Sequence, residues 1–295
     1  MNGQRRVKIG DRYVGYGEPV FVVAEIGINH NGNVETAKKL IDGAVEAGCD
    51  AVKFQKRTVD VVYTSEELAR PRENPFGSTN GDLKRGLEFD KKQYDEIDKY
   101  CKAKSILWYA SPWDEASVDF LEQYDPPCYK VASACNQDRE LMAYIKSKGR
   151  PIVVSTGMSD EAATARMVNF LGEDNLVLLH CVSTYPANHE ELHLATIPHL
   201  IKKYPRAFIG YSGHEVGAYP TLVAATLGAC MVERHITLDR AMWGSDQAAS
   251  LELTGLNRLM SEIRAVKAYL GEPKKAVLAS EEPIQTKLRR KATLI

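Results

Sequence analysis

The chain is expected to fold as an α/β protein of the (β/α)8 TIM-barrel class, and three observations carry that expectation. Eight short apolar runs rich in Val, Ile, Phe and Tyr alternate with amphipathic segments almost from end to end, the pattern of buried parallel strands joined by helices. The length, 295 residues with 44% hydrophobic content, suits one large core, whereas a doubly wound sheet would use five or six strands and reserve room for another domain. The runs also end in polar residues, as expected of barrel strands whose C-terminal ends carry chemistry.

Taken in order, residues 1 to about 19 are expected to form a β-rich cap. The runs are then "VFVVAEIG" (20 to 27), "AVKFQK" (51 to 56), "ILWYAS" (106 to 111), "CYKVAS" (128 to 133), "PIVVST" (151 to 156), "LVLLHC" (176 to 181), "AFIGYS" (207 to 212) and "CMVERHI" (230 to 236). Helices are expected over 34 to 48, 91 to 104, 114 to 124, 139 to 149 and 254 to 271. In the first of these, Ala37, Leu40, Ile41, Ala44 and Val45 recur at helical spacing while Glu35, Lys38, Lys39, Asp42 and Glu46 fall elsewhere, giving one apolar stripe to lie on a sheet. Gly48 ends it. The segment 57 to 89 is longer than a routine connection and full of turn formers and charges, which suits a lid over the barrel mouth or a disordered excursion; a lid is the reading adopted, because the segment follows a strand. A short basic tail, about 280 to 295, closes what reads as a single TIM-barrel unit spanning 1 to 295.

Composition excludes several roles. Net charge is -1 with Lys and Arg dispersed, so there is no footprint for nucleic acid or an anionic membrane, and small molecules are the expected partners. No apolar stretch approaches the ~20 residues that span a bilayer. Six scattered cysteines without a C-x-x-C pair, and an N-terminus lacking the apolar core of a signal peptide, point to a reduced, cytoplasmic protein.

The strand ends carry the functional signal. They present Glu25, then Asn29 and His30; Lys53 and Gln55; Ser111; Lys130 and Ser133; Ser155 and Thr156; His180; Ser212 and His214; and Glu233, Arg234 and His235. Alternation puts Lys53 with Gln55, and Glu233 with His235, on common faces. His214 and His235 end adjacent strands, where two imidazoles can meet on one divalent metal with water or substrate oxygens completing its shell; a hydrogen-bonded strand cap is the bland alternative for His235. Lys53 and Lys130, with Ser111, Ser133 and Ser212 as neutral donors, can hold a phosphate and a carboxylate together, as a small dianion such as phosphoenolpyruvate requires. Either lysine could instead form a Schiff base, an alternative weakened by the metal-like histidine pair.

With those motifs on the page, "VFVVAEIGINHNG", "YKVASACNQ", "PIVVSTGM", "LLHCVSTYP", "IGYSGHEVG" and "ERHITLDRAMWGSDQAASLE", the chain resembles the sialic acid synthases over nearly its whole length. That resemblance implies condensation of phosphoenolpyruvate with N-acetylmannosamine, or its 6-phosphate, to an N-acetylneuraminate-type nonulosonic acid plus phosphate. It implies a divalent metal, Mn2+ or Mg2+, on His214 and His235; phosphoenolpyruvate contacts from Lys53, Ser111, Lys130, Ser133 and Ser212; and acceptor contacts from Glu25, Gln55, Tyr185 and Asp246. Ser183 stands as a compatible donor where bacterial relatives have Asn, and Cys135 where they often have an acid. Asn29, His30 and Asn31 are expected to shape the floor of the mouth by hydrogen bonding. A homodimer is implied, in a form expected to lack the C-terminal antifreeze-like domain that donates an arginine across the subunit boundary; Arg70, Arg72, Arg289 or Arg290 are candidates to replace it. The rivals are a related 3-deoxy-ulosonic acid synthase using another aldose, and a silent sugar-phosphate-binding protein.

Overall fold

The computed structural model describes residues 5–290. Eight parallel strands form its centre: β1 Phe21–Gly27, β2 Ala51–Lys56, β3 Leu107–Pro112, β4 Tyr129–Val131, β5 Ile152–Ser155, β6 Leu176–Cys181, β7 Phe208–Gly213 and β8 Met231–Thr237. Ladder hydrogen bonds run in the order β3-β2-β1-β8-β7-β6-β5-β4, and β3 packs beside β4 to complete a nearly closed (β/α)8 TIM barrel. Around it lie α1 Val34–Ala47, α2 Lys91–Ala103, α3 Glu115–Glu122, α4 Arg139–Ser147, α5 Glu161–Leu171, α6 Thr196–Lys203, α7 Tyr219–Thr226 and α8 Leu253–Leu270. Local chemistry sets the helix ends: Asn33 Oδ1 accepts from the Thr36 N–H at 3.0 Å to start α1, and Gly48, in the left-handed region, stops it.

Two apolar layers follow from strand alternation. Val22, Ala24, Ile26, Val52, Phe54, Val154, Leu178 and Ile209 face the helices, while Phe21, Val23, Ala51, Tyr109, Cys128, Val153, Val177, Leu179, Phe208 and Met231 fill the interior. Along each strand the inward positions change character: apolar near the N-terminal end, then Glu25, Lys53, Ser111, Lys130, Ser155, Ser212 and Glu233 towards the C-terminal end. Register aligns these into one layer, since Glu25 lies opposite both Lys53 and His235, Gln55 opposite Ser111, and Ser212 opposite Glu233.

The N-terminal segment forms an antiparallel hairpin, Val7–Ile9 with Arg12–Val14, and Val7, Ile9 and Val14 plug the barrel bottom. Residues 1–4 and 291–295 of the expected cap and tail lie outside the described residues; within the tail, Glu282–Leu288 is helical.

Segment 57–89 is ordered rather than a loop. It folds into three short helices, Val59–Val62, Ser65–Ala69 and Asn80–Leu87, with a small hairpin of Pro71–Asn74 and Gly77–Thr79. Thr79 and Asp82 form a reciprocal capping box that starts the last helix. Its exit is tied to β2 through Glu88, which accepts from Arg57 Nη1 at 2.9 Å and the Arg57 N–H at 3.1 Å. Its hairpin reaches over the mouth, where Phe76 meets Trp243 edge-on at 6.4 Å.

Candidate active site

The inner layer at the C-terminal ends of the strands surrounds a cavity of about 210 Å3. A larger cleft of about 620 Å3 lies at the opposite end, lined in part by Arg12 and Arg264, but these cations already face Asp11 and Asp50. The barrel's chemistry-bearing end is the one with converging, unsatisfied groups.

Lys53 is the hub. Its Nζ lies 2.8 Å from Glu25 Oε2 and 3.7 Å from Glu233 Oε1, and donates to Ser111 Oγ at 3.2 Å. Lys130 Nζ stands 3.6 Å from the same Glu233 oxygen, which also accepts from Ser212 Oγ at 3.2 Å. Gln55 Nε2 donates to Glu25 Oε1 at 3.2 Å; its own oxygen accepts from Arg57, whose guanidinium lies 4.3 Å over the Trp113 ring. Burial pushes Glu25 up to about 7, against the pull of Lys53 and helped by Glu233. Burial also presses Glu233 upward, but Lys130, Lys53 and the two histidines outweigh it and hold Glu233 below its ordinary value. The two carboxyls are thus pushed in opposite directions, Glu25 towards holding a proton and Glu233 towards holding its charge. Lys130 is drawn down by burial and by neighbouring Lys53, with Glu233 opposing.

His214 and His235 face each other with ring centroids 5.3 Å apart, and Tyr185 lies 4.1 Å from His214 with its ring tilted by 36° and meets His235 edge-on at 5.7 Å. His214 Nδ1 donates to the Val182 carbonyl at 2.7 Å, which leaves Nε2 as the lone-pair nitrogen. His235 Nδ1 is buried without a hydrogen-bond partner, 3.7 Å from Asp246 Oδ2, and burial lowers the ring to about 3, so it stands neutral. Burial presses the His214 ring down, but Cys181, the Val182 carbonyl and Glu233 outweigh it and hold the ring above its ordinary value, so its Nε2 offers a lone pair only as the ring gives up a proton; with neutral His235 beside it, the pair fits a divalent cation that displaces that proton. Among the described residues no set of three or more His, Cys, Asp or Glu side chains gathers as a metal cluster.

Across the cavity, Ser133 Oγ donates to Cys181 Sγ at 3.6 Å, with Ser183 Oγ 3.8 Å from that sulfur. A Cβ at Gly157 would collide with the hydroxyls of both Ser133 and Ser183. Glycine is what leaves them room.

Of the residues the sequence singles out, Glu25, Lys53, Gln55, Ser111, Lys130, Ser133, Ser183, Tyr185, Ser212, His214 and His235 all line this cavity; Asp246 stands just behind His235. Arg70, Arg72, Arg289 and Arg290 do not line it, and neither does Cys135, the buried last residue of the Ser133–Cys135 turn. Asn29 and Asn31 tie the first loop to the one after β8: Asn29 Nδ2 donates to Ile236 O at 2.9 Å and Ser250 Oγ at 2.8 Å, and Asn31 Nδ2 to Trp243 O at 2.9 Å. His30 stacks on Phe89 at 4.0 Å, below the lid exit. The sequence reading does not place Glu233 in the site, although it shares a face with His235. Ser155, Cys181, Trp113 and Met158 line the cavity as well; Ser155 and Cys181 end their strands, and Cys181 stands where His180 is expected, since His180 instead donates to the Leu192 carbonyl at 2.7 Å.

The model of the NeuB family matches residues 40–275. The chain belongs to the NeuB family. Its relatives include an N-acetylneuraminate-9-phosphate synthase of Homo sapiens, 38% identical over 94% of this chain and 78% of the human protein. An N,N'-diacetyllegionaminic acid synthase of Legionella pneumophila is 32% identical over the whole chain and 85% of that protein. Among solved structures, an N-acetylneuraminic acid synthetase of Leptospira borgpetersenii in complex with citrate superposes with a TM-score of 0.84 at 29% identity, covering 98% of this chain and 99% of that one. As a NeuB-family member the protein is an enzyme of the sialic acid synthase type, a phosphoenolpyruvate-dependent transferase that forms a carbon-carbon bond. Its six cysteines are unpaired, and no helix among the described residues is long and apolar enough to cross a membrane.

Proposed function

We propose that this NeuB-family enzyme condenses phosphoenolpyruvate with N-acetylmannosamine or its 6-phosphate, giving an N-acetylneuraminate-type acid and phosphate. The observation that carries the reading is the pairing, in one cavity, of a cationic half built on Lys53 and Lys130 with an imidazole half built on His214 and His235. Lys130, which among the described residues has a long 3.4 Å bond to the Val131 carbonyl and its contact with Glu233, has donors to spare for an anion, and Ser111, Ser133 and Ser212 surround the same space. Ser155 Oγ and Glu233 Oε2 are buried there without hydrogen-bond partners, a cost that a polar ligand removes.

His214 and His235 would hold the divalent metal, manganese or magnesium, with Asp246 behind His235. When bound, the metal supplies Lewis-acid polarisation of the acceptor aldehyde. The lysines and serines fix phosphoenolpyruvate with C3 towards that carbonyl, so the new bond forms between oriented partners. Glu25, protonated below about 7, gives its proton to the acceptor oxygen as the C3 electron pair attacks, and Gln55 and Tyr185 orient the sugar. Water then adds at C2, the C2–O bond breaks, and phosphate leaves.

The whole barrel with its N-terminal hairpin acts as one catalytic unit, working as a homodimer in the cytoplasm; six unpaired thiols suit that reducing compartment. The diacetylated product in the Legionella relative's name motivates a second acceptor class, a modified hexosamine. The test is phosphate release from phosphoenolpyruvate with Mn2+, running N-acetylmannosamine, its 6-phosphate, a diacetylated hexosamine and arabinose 5-phosphate separately and identifying products by mass. Release with N-acetylmannosamine or its phosphate, abolished in His214→Ala, is expected. Turnover with only one of the other two would replace the acceptor.

A further inference from the structure

Behind the two histidines, on the outer wall of the barrel, lies an ion pair that the proposed chemistry does not touch. Arg234 is 1% exposed and Glu215 0%, and Arg234 Nη1 approaches Glu215 Oε1 at 2.8 Å. The same nitrogen donates to the Gly217 carbonyl at 2.8 Å and Thr221 Oγ1 at 2.7 Å, while Nη2 donates to Glu215's own backbone carbonyl at 2.7 Å. Tyr211 OH donates to Glu215 Oε2 at 2.8 Å, and Thr221 Oγ1 to Glu215 Oε1 at 3.2 Å.

Position gives this cluster its meaning. Glu215 directly follows His214, and Arg234 directly precedes His235. Strand alternation sends Glu233 and His235 into the cavity and Arg234 out through the wall. One guanidinium thus grips the backbone just past His214 while its own neighbour in the chain is His235. Gly213 completes the fit, since a Cβ there would lie 2.6 Å from Glu215 Oε2 and 3.0 Å from Arg234 Cδ.

Stability is a weak reason for such a pair, because desolvation largely cancels the attraction and an apolar pair of similar volume serves a core as well or better. Directional bonds to three acceptors on one loop instead specify a geometry. We propose that Arg234 and Glu215 are positioning residues that set the spacing of His214 and His235 and thereby the affinity for a divalent cation. This rests on the reading that those histidines hold the metal.

The experiment measures Mn2+ binding to metal-stripped protein by titration calorimetry and by the electron paramagnetic resonance signal of free Mn2+. Wild type is expected to bind and His214→Ala not to. The double variant Glu215→Met/Arg234→Met, which fills the space with apolar side chains, is expected to keep the wild-type circular dichroism spectrum and to bind Mn2+ about 10–100-fold more weakly, as loss of supporting contacts around metal ligands typically does. Arg234→Lys, which keeps the charge without the fork, should fall between the two. Wild-type affinity in the folded double variant would overturn the proposal while leaving the metal reading intact; no binding by wild type would overturn both. Should the double variant fail to fold, Thr221→Val removes two bonds from the cluster and Tyr211→Phe one, and unchanged Mn2+ affinity in both would equally reject it.

Discussion

Glu25 and Glu233 share the Lys53 ammonium, and the unequal sharing has consequences that can be measured. Glu25 rises to about 7 from an ordinary 4.5, so the folded protein keeps a proton that the unfolded chain has released. Its contribution to stability is therefore full below about 4.5 and drains as pH rises through about 7. His235 and His30, both lowered to about 3 by burial, act in the opposite sense: their contribution is present above 6.5 and is lost as pH falls towards 3. The windows overlap, so the Glu25 part is read as a difference. Scanning calorimetry of metal-free protein should show the melting temperature of wild type relative to Glu25→Gln declining from pH 5 to 7.5, and a constant difference would mean that Glu25 is ionised throughout. With Glu25 as the proposed proton donor, kcat/KM is expected to fall through about pH 7, an inflection absent in Glu25→Gln. Lys130→Met removes a charged donor from the half proposed to hold phosphoenolpyruvate and should raise KM for phosphoenolpyruvate ~10–100-fold, the worth of a charge-assisted hydrogen bond of about 1.5–3 kcal/mol. KM for the acceptor should be unaffected, and an equal rise in both would move Lys130 to a general structural role. Most of these residues are legible in the sequence because strand ends are where a barrel puts its chemistry. Glu233 is harder to assign, since a buried acid between two lysines reads equally as a structural counter-ion until distances are known.

The lid is the element where sequence patterns say least. Its helices, Val59–Val62, Ser65–Ala69 and Asn80–Leu87, are too short to show an apolar period, so turn formers and charges dominate the reading. The caps are the signals that were available: Thr64 accepts from the Glu67 N–H at 3.2 Å, and Thr79 pairs with Asp82. What holds the lid is close tertiary contact. Gly86 packs directly under the Phe76 ring, and Gly32, with φ of 71°, lies against the Gly86 carbonyl. A methyl at Gly86 must displace Phe76 and with it the contact to Trp243. Gly86→Ala and Phe76→Ala should both raise KM for the sugar acceptor several-fold with KM for phosphoenolpyruvate unchanged, since the lysine half lies deeper in the barrel; steady-state kinetics with each substrate varied in turn would show it, and an unchanged acceptor KM would take the lid away from the sugar. Among the barrel helices, period singles out α1, α2, α3, α4 and α8. By contrast, α7, "YPTLVAAT", is apolar on most faces and advertises no stripe, while α6, amphipathic with Ile197 and Leu200 buried, carries Pro198 inside its first turn and no side-chain N-cap to mark its start.

Across the whole molecule the barrel interior is graded, apolar below and ionisable above, with a hairpin stopper at the bottom. Ile9, fully buried in that stopper, should cost about 2–5 kcal/mol on truncation to Ala, read by urea unfolding, because the cavity it leaves is walled by a rigid ring of strands. Phosphoenolpyruvate binding at the far end should be unchanged; a parallel loss of binding would mean that the stopper also sets the site. The sequence by itself determined the barrel class, the eight strands to within a residue or two at each end, and most of the inward polar layer, though Thr156, His180 and Arg234, also at strand ends, turn away from the cavity; periods of 2 and 3.6 and the strand-end rule are local properties of the chain. Only the tertiary structure decided that Lys53 stands between Glu25 and Glu233, that Arg57 turns the Gln55 amide towards Glu25, that segment 57–89 is a packed lid, and that Arg234 reaches the backbone behind His214. Each of these depends on distances between residues far apart in the chain, and electrostatic energies inside a low-dielectric barrel turn on ångströms that no local pattern encodes.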